Sequence, residues 1–175
     1  EPEDWITQYG RRGLNFGGTN QWVQTGLVLG AETQFTVSWW SKGGTVTGDY
    51  LFDTTNGNVG FGVRGDAFGT WDIFAYTAGG LSRVPDWGTD TRDNVWRHYC
   101  CRYDNGTIDC FENGALDSSN SDGSGAMVSS SEQVPICADY NGANHWTAAV
   151  LDAMIWNVAI SNSQIQQLSD PGNVM

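Results

Sequence analysis

Positive charge is scarce in this sequence. Its 175 residues include 8 lysines and arginines against 20 aspartates and glutamates, so the formal net charge is −12, and Lys42 is the single lysine. A surface with this balance repels the phosphate backbone of nucleic acids and the anionic headgroups of membranes. We therefore expect no nucleic-acid partner and no membrane insertion.

Long apolar stretches are also missing from the chain. No run approaches the roughly 20 apolar residues that a membrane-spanning helix needs. The length fits one domain with a core of its own, and we predict a single domain over residues 1–175. Because the chain begins at Glu1 rather than at Met, we expect a processed, secreted form, although an expression boundary would look the same.

Short runs rich in β-branched and aromatic residues recur along the chain, with turn signals between them. Such regular spacing is typical of an all-β sandwich or barrel. Among the turn clusters, Gly17–Asn20 and Ser118–Gly125 are predicted to be loops. The predicted strands are 13–16, 22–27, 34–41, 49–53, 59–64, 70–76, 95–103, 107–112, 133–138 and 148–157.

One short helix is predicted near the C-terminus, over Asn162–Leu168. Ser161 is a favourable N-cap, and Gln164 three residues later completes a capping box. Ile165 and Leu168 then share a face that would cover one end of the sandwich.

The four cysteines are predicted to form two disulfides, the first of which follows from a hairpin. Asn105-Gly106 lies between two β-rich runs and predicts a two-residue type I′ turn. In that register Cys101 faces Cys110 at a non-hydrogen-bonded site, where Cα atoms approach to about 4.5 Å, within the range of a disulfide. Cys100 points to the opposite face, which leaves Cys137 as its partner.

Disulfides Cys101–Cys110 and Cys100–Cys137 would place the protein in an oxidising, extracellular compartment. Four free thiols in a cytosolic protein are the alternative. The sequence holds one N-glycosylation motif, Asn105-Gly106-Thr107, so Asn105 at the turn is a candidate glycan acceptor.

Four segments, taken in their order and spacing, resemble the concanavalin A-like lectin/glucanase superfamily, and within it the laminin-G-like jelly rolls. Gly13–Gly18 is similar to the opening strand and turn, Gln34–Lys42 to the first long strand, Trp96–Gly114 to the central hairpin, and Leu151–Asn157 to the closing strand. The resemblance implies an all-β fold of two antiparallel sheets in a jelly-roll sandwich, one of them concave and often the binding face. Residues 43–94 match least.

Some members of the superfamily are glycoside hydrolases, yet this chain lacks their motif. The resemblance would place Glu-x-Asp-x-x-Glu, or a one-residue variant, on one strand, and none of the five glutamates forms it. Asp109 and Glu112 share a strand but point to opposite faces, so they cannot supply the carboxylate pair about 5–5.5 Å apart that retaining enzymes use. We expect a protein that is not an enzyme, while convergence of aspartates from different strands stays open.

The resemblance also implies a structural Ca²⁺. Relatives hold it with an aspartate at the start of the closing strand, the position of Asp152 here, together with backbone carbonyls near the first strand. This suits a hard cation that takes 6–8 oxygen ligands. In the alternative interpretation, Asp152 is not a calcium ligand and instead caps a turn or pairs with an arginine.

Tryptophan is abundant, with nine in the chain. Trp39 and Trp40 are neighbours on one strand, so one enters the core and the other lies on an outer surface. Sugar rings stack their C–H faces on aromatic rings while Asp and Asn bind their hydroxyls, and several tryptophans lie near loops rich in Gly, Asp and Asn. The candidate glycan-binding residues are Trp40, Trp71, Trp87, His145 and Trp146. In the alternative use, these tryptophans seal the sandwich ends or line a subunit contact.

Together these features predict a secreted, non-catalytic module that binds carbohydrate through tryptophans and Asp/Asn-rich loops. The alternative is a structural or adhesive subunit of an extracellular assembly, such as a virion or a cell-surface appendage, with homo-oligomeric contacts. A glycoside hydrolase or polysaccharide lyase with an unusual site is the third hypothesis.

Overall fold

A computed structural model describes residues 5–8, 11–17, 21–44, 48–66 and 68–172, so positions 18–20 of the predicted Gly17–Asn20 loop lie outside the described residues. In this part of the chain there are thirteen strands, one α-helix and a single 3-10 turn at Thr91–Asp93. The strands are β1 Trp5–Gln8, β2 Arg11–Phe16, β3 Val23–Val28, β4 Gln34–Lys42, β5 Tyr50–Asp53, β6 Phe61–Gly65, β7 Trp71–Thr77, β8 Gly80–Trp87, β9 Arg97–Asp104, β10 Thr107–Glu112, β11 Ala115–Asn120, β12 Gln133–Ile136 and β13 Ala148–Trp156, and the helix α1 is Asn162–Leu168.

The strands form two layers of antiparallel sheet. One layer is a seven-stranded sheet in the order β1-β2-β13-β4-β9-β10-β11. The other is the four-stranded sheet β5-β6-β7-β8, which the pair β12-β3 adjoins. Just beyond β12, the Cys137 N–H donates to the Leu51 carbonyl of β5 at 2.8 Å, and this bond joins the two pieces. The predicted antiparallel jelly-roll sandwich is confirmed, and no helix of the described ranges is long and apolar enough to cross a membrane.

The core between the sheets is built by side chains at alternate positions of each strand. In β7, Trp71, Ile73 and Ala75 point inward and are at most 1% exposed. This period of two is the pleat of a β-strand, and it sends the intervening residues of β7 to the outer face of the four-stranded sheet. Burial of one large apolar side chain contributes roughly 1.5–3 kcal/mol, so such a strand is held firmly in register.

The predicted hairpin is present in the predicted register. Asn105 and Gly106 both have positive φ, 49° and 103°, as a type I′ turn requires. Cys101 pairs with Cys110 across β9 and β10. Asn105 is exposed at this turn, and its glycosylation stays a prediction.

The cysteines correct part of the disulfide prediction. All four are unbridged and buried. Cys100 packs on the outer side of the seven-stranded sheet against α1, whereas Cys137 lies in the core between the sheets. Because the sheet separates them, the prediction of a Cys100–Cys137 bridge is wrong. Cys101 and Cys110 do face each other in the core, and their bridge stays a prediction.

Helix α1 begins and ends where the sequence predicts. The Gln164 N–H donates to the Ser161 hydroxyl and the Gln164 side chain accepts from the Ser161 N–H, so the capping box is complete. Its apolar residues pack against the outer face of the seven-stranded sheet rather than at one end of the sandwich, in a cluster formed by Cys100, Phe111, Ile160, Ile165 and Leu168.

The segment predicted as the loop Ser118–Gly125 is a strand over its first three residues, which corrects the prediction. Ser118, Ser119 and Asn120 pair with β10. The Ser119 hydroxyl donates to the Asp109 carboxylate at 2.7 Å, and this bond replaces the apolar contacts that strands usually have. Pairing with an existing sheet edge thus outweighs the low strand propensity of a Ser/Asn-rich segment.

Candidate functional site

Four tryptophans predicted to contact glycan have no exposed ring face. Trp71 and Trp146 are 0% exposed, Trp87 is 1% and Trp40 is 4%. The prediction that these rings stack on sugar is therefore wrong. The physical reason is that three of them fill the core between the sheets, while Trp40 lies on the outer side under α1 and donates its indole N–H to the Leu168 carbonyl at 3.3 Å.

His145 is the fifth predicted residue, and it is half-buried beside the strand that opens the second sheet. A parallel bridge joins it to Tyr50 of β5. The Tyr50 N–H donates to the carbonyl of Asn144 at 2.9 Å, which fixes the loop before His145 against β5. Of the five predicted residues, His145 alone therefore lies near the surface described next.

The outer face of β5–β8 carries a group of aromatic and arginine side chains. Cross-strand pairs bring them together, since Tyr50 pairs with Arg64, Arg64 with Asp72, and Phe74 with Arg83. Tyr76 follows Phe74 on the same face of β7. We call this group the aromatic–arginine patch; it consists of Tyr50, Arg64, Asp72, Phe74, Tyr76 and Arg83.

Phe74 forms the floor of the aromatic–arginine patch. Its ring centroid lies 6.5 Å from that of Tyr50 and 6.2 Å from that of Tyr76, both in edge-to-face geometry. Gly62 makes room for it, because a Cβ at Gly62 would approach the Phe74 ring to 2.7 Å. The two tyrosines on either side are only part-buried, so part of each residue is accessible to solvent.

Two arginines share one buried carboxylate at the other side of the patch. The Asp72 side chain is 2% exposed. Arg64 donates to it from Nε at 3.0 Å, with Nη2 of the same ion pair 2.9 Å from the carboxylate, and Arg83 donates from Nε and Nη2, each at 2.8 Å. The Arg64 guanidinium also lies over the Phe74 ring, 5.3 Å from its centroid, as in a cation–π contact.

Asp53 borders the patch at the end of β5 and links it to the loop 139–144. Its carboxylate accepts from the Thr55 N–H at 2.9 Å and from the Tyr140 N–H at 3.3 Å. Asp139 holds the same loop, because it accepts from the Ala143 N–H at 2.8 Å and from the Asn144 side-chain amide at 2.7 Å. The loop is thereby fixed beside Tyr50.

Burial raises the pKa of Asp53 to about 6. Because this native pKa lies above that of an unfolded aspartate, about 3.9, the native state binds the proton more tightly. The resulting stability is full below about pH 4 and is lost as the pH rises through 6. At about 1.4 kcal/mol per pKa unit, the loss amounts to about 3 kcal/mol.

We expect Asp53→Asn to reduce the difference in unfolding free energy between pH 4.5 and pH 7.5 by about 2 kcal/mol, since the variant cannot titrate at this position. Urea unfolding at the two pH values measures it. Asp122→Asn, which makes the same charge change in an exposed loop, is the control and should leave the difference unchanged. Equal pH dependence of Asp53→Asn and the unchanged protein would contradict the prediction.

One tryptophan that the sequence-based prediction did not select is exposed. Trp22, just before β3, is 37% exposed, the largest value among the tryptophans whose side chains the structure describes. Its ring lies on Gly142, where a Cβ would approach it to 2.8 Å. Trp22 therefore packs against the same loop that Asp139 fixes beside Tyr50.

Asp152 lies at an irregular point of β13. Its φ is 45°, and the pairing of β13 with β4 shifts between Leu151 and Met154. With Gly13 and Leu14 of β2 it lines a pocket of about 230 Å³. In the part of the chain that the structure describes, no group of three or more His, Cys, Asp or Glu side chains could hold a metal ion, so Ca²⁺ at Asp152 stays a prediction that depends on main-chain oxygens.

The sequence contains a signal for this patch, but a search for tryptophans near loops does not detect it. In the run Trp71–Thr77 the residues alternate between two sets, and the set that is not core consists of Asp72, Phe74 and Tyr76. An acidic and two aromatic side chains on the outer face of a central strand indicate a binding surface.

Comparison with known proteins assigns the family. Residues 16–166 match the sequence profile of a laminin-G family described as the concanavalin A-like lectin/glucanases superfamily. The chain belongs to this superfamily. The resemblance stated from the sequence is therefore confirmed, and no curated protein matches the chain.

Solved structures with this superfamily's fold cover most of the chain at low identity. The binding domain of Paraclostridial Mosquitocidal Protein 1 superposes with a TM-score of 0.72 and 15% identity over 94% of this chain and 44% of that one. A heptameric SAP-like pentraxin from Limulus polyphemus superposes with a TM-score of 0.65 and 17% identity over 94% of this chain and 84% of that one. The third structure is domain 4 of AbnA, an extracellular GH43 arabinanase from Geobacillus stearothermophilus, solved with arabinotriose. It superposes with a TM-score of 0.69 and 15% identity over 95% of this chain and 80% of that one.

At sequence identities of 15–17%, the similarity to these structures shows only that the fold is shared. The chain spans less than half the length of the first of these structures.

Proposed function

We propose that this chain is a secreted, non-catalytic carbohydrate-binding module whose ligand lies on the aromatic–arginine patch. The observation that carries the proposal is the patch itself, in which part-exposed tyrosines flank a buried phenylalanine and two arginines on one sheet face. The proposal is further supported by relatives of the same fold, which are named as binding domains or were solved with an oligosaccharide.

The patch supplies both kinds of contact that a sugar ring needs. Tyr50 and Tyr76 offer aromatic faces on which the C–H faces of sugars stack, and Tyr hydroxyls can bond ligand hydroxyls. Arg64 and Arg83 donate from guanidinium edges that Asp72 holds in place, so little side-chain entropy is lost on binding. His145 pairs with Tyr50, and Trp22 packs on the adjoining loop at Gly142, so both would extend the contact surface.

A glycan array, run with and without EDTA, tests the proposal. We expect Tyr76→Ala to weaken binding of the selected glycan up to about tenfold, since ring stacking contributes roughly 0.5–1.5 kcal/mol. Leu116→Ala, which removes an exposed apolar side chain from β11 on the other sheet, is the control and should bind normally.

Absence of binding to every glycan, or normal binding by a folded Tyr76→Ala variant, would refute the proposal. Loss of binding in EDTA would support the Ca²⁺ prediction at Asp152, and unchanged binding would argue against a calcium-dependent site.

The alternative function, an adhesive or structural subunit, also has one observation in its favour. Strand β3 is exposed over most of its length, with Leu27 39% and Val28 47% exposed, and it pairs with β12 alone among the strands of the described chain. An exposed, partly apolar edge strand is a ready surface for pairing with another chain. Concentration-dependent oligomers without any glycan signal would favour this function over the first.

A further inference from the structure

The aromatic–arginine patch differs from the rest of the described surface in how its charges are paired. Elsewhere each arginine whose side chain the structure describes has a carboxylate of its own. The pairs are Arg92 with Asp90, Arg97 with Asp93 and Glu112, and Arg102 with Asp109. In the patch, by contrast, Arg64 and Arg83 share the single carboxylate of Asp72. A chain with a net charge of −12 therefore keeps one surplus positive charge in a hydrogen-bonded group on this face.

The shared carboxylate is not accessible to a ligand. Asp72 accepts three N–H groups, one from Arg64 and two from Arg83, and its side chain is 2% exposed. Each guanidinium has five N–H donors, so both keep donors beyond those that Asp72 takes. The exposed parts of these side chains, 34% for Arg64 and 46% for Arg83, therefore offer hydrogen-bond donors and no acceptor.

The nearby acidic groups lie at the edges of the patch or are held by other contacts. Asp86 interacts electrostatically with Arg83, and Asp66 lies close to Asp86. On the other side of the patch, Asp53 is buried and Asp139 is taken up by the loop 139–144.

We infer that the patch binds a glycan carrying an anionic group, a carboxylate or a sulfate, which accepts hydrogen bonds from Arg83 and Arg64 while a sugar ring stacks on Tyr76 or Tyr50. The inference rests on the proposed function and adds the class of ligand. Planar guanidinium groups bind carboxylate and sulfate oxygens with two parallel hydrogen bonds, and such charge-assisted bonds are about twice as strong as neutral ones. Because Asp72 holds both arginines, the site is preorganised.

The test compares matched charged and neutral ligands on the intact chain. The probes are tetragalacturonate and its methyl ester, and a sulfated galactan tetrasaccharide with its desulfated form. We expect at least one charged member to bind about tenfold more tightly than its neutral counterpart at low salt, and the advantage to shrink in 0.5 M NaCl. Preference for tetragalacturonate or for the sulfated probe identifies a carboxylate or a sulfate as the recognised group.

Arg83→Gln should lower affinity for the charged probe about tenfold and affinity for the neutral probe less than twofold. Arg83→Lys should restore part of the lost affinity, because it keeps the charge without the two parallel bonds. Lys42→Gln removes the same charge from β4 of the other sheet and should change nothing. Arg64 still pairs with Asp72 in these variants, and thermal unfolding verifies that they are folded.

Equal affinity for charged and neutral probes, or an equal loss for both in Arg83→Gln, would overturn the inference. If binding to neutral probes still depended on Tyr76, the proposed carbohydrate-binding function would stand although the inference of an anionic ligand had failed. If no probe and no array glycan bound, the proposed function and the inference of an anionic ligand would both be refuted.

Discussion

Trp146→Ala is expected to lower the free energy of unfolding by about 3–5 kcal/mol, the range for removal of a fully buried aromatic side chain. The Trp146 ring is 0% exposed and lies 4.7 Å from the Trp71 ring, centroid to centroid. It also fills the space above two glycines, since a Cβ at Gly65 would approach the ring to 2.0 Å and one at Gly44 to 2.3 Å. Alanine would leave a cavity that neither glycine can fill.

Urea unfolding followed by circular dichroism measures this loss, and Trp22→Ala is the matched control. Trp22 is 37% exposed, so its removal should cost less than about 1 kcal/mol. Binding then separates the two roles of tryptophan, because Trp146→Ala should affect glycan binding only as far as it unfolds the protein. A Trp146→Ala variant of normal stability that had lost glycan binding would contradict the burial of this ring and revive its predicted role as a glycan contact.

Local signals in the sequence predicted local structure well. The Asn105-Gly106 turn fixed the register of β9 and β10 down to the Cys101–Cys110 pair, because φ angles and the pleat determine register over a short hairpin. Ser161 and Gln164 located the start of α1, since a capping box is made by residues three positions apart. Neither prediction depends on distant parts of the chain.

The exposure of the tryptophans was not predictable in the same way. Trp146 follows an Asn-rich loop, which suggests a surface position, but its burial depends on Gly44 and Gly65, which come from distant parts of the chain. Cys137 was assigned to Cys100 by elimination, and the structure separates them because β12 belongs to the other layer of the sandwich.

The candidate site was predictable only in part. The alternation of Asp72, Phe74 and Tyr76 is visible in one strand, but the sharing of Asp72 by Arg64 and Arg83 depends on the registers of β6 with β7 and of β7 with β8. The second of these registers contains an irregularity between Trp71 and Ile73. A shift of this kind cannot be read from a period-two pattern, and it moves every later cross-strand pair.

Formation of a Cys101–Cys110 bridge is the second prediction with a large expected effect. We expect the oxidised protein to be more stable than the reduced protein by about 2–3 kcal/mol, the value for closing a loop of about ten residues in the unfolded chain. Unfolding by urea with and without reductant measures the difference. It should persist in Cys137→Ala and disappear in Cys110→Ala, and peptide mapping without reduction should find the bridge between Cys101 and Cys110. A bridge that contains Cys100 or Cys137 would contradict the prediction.

The surroundings of this pair also predict when the bridge forms. Both cysteines are 0% exposed, and burial raises the pKa of the Cys101 thiol well above its ordinary value and raises that of Cys110 as well. Because the thiolate is the reactive form, the folded, reduced protein should react slowly with oxidised glutathione, whereas a chain folding in that reagent should form the bridge. The redox state of the protein as isolated would therefore record the compartment in which it folded, and a bridged pair would support the proposed secretion.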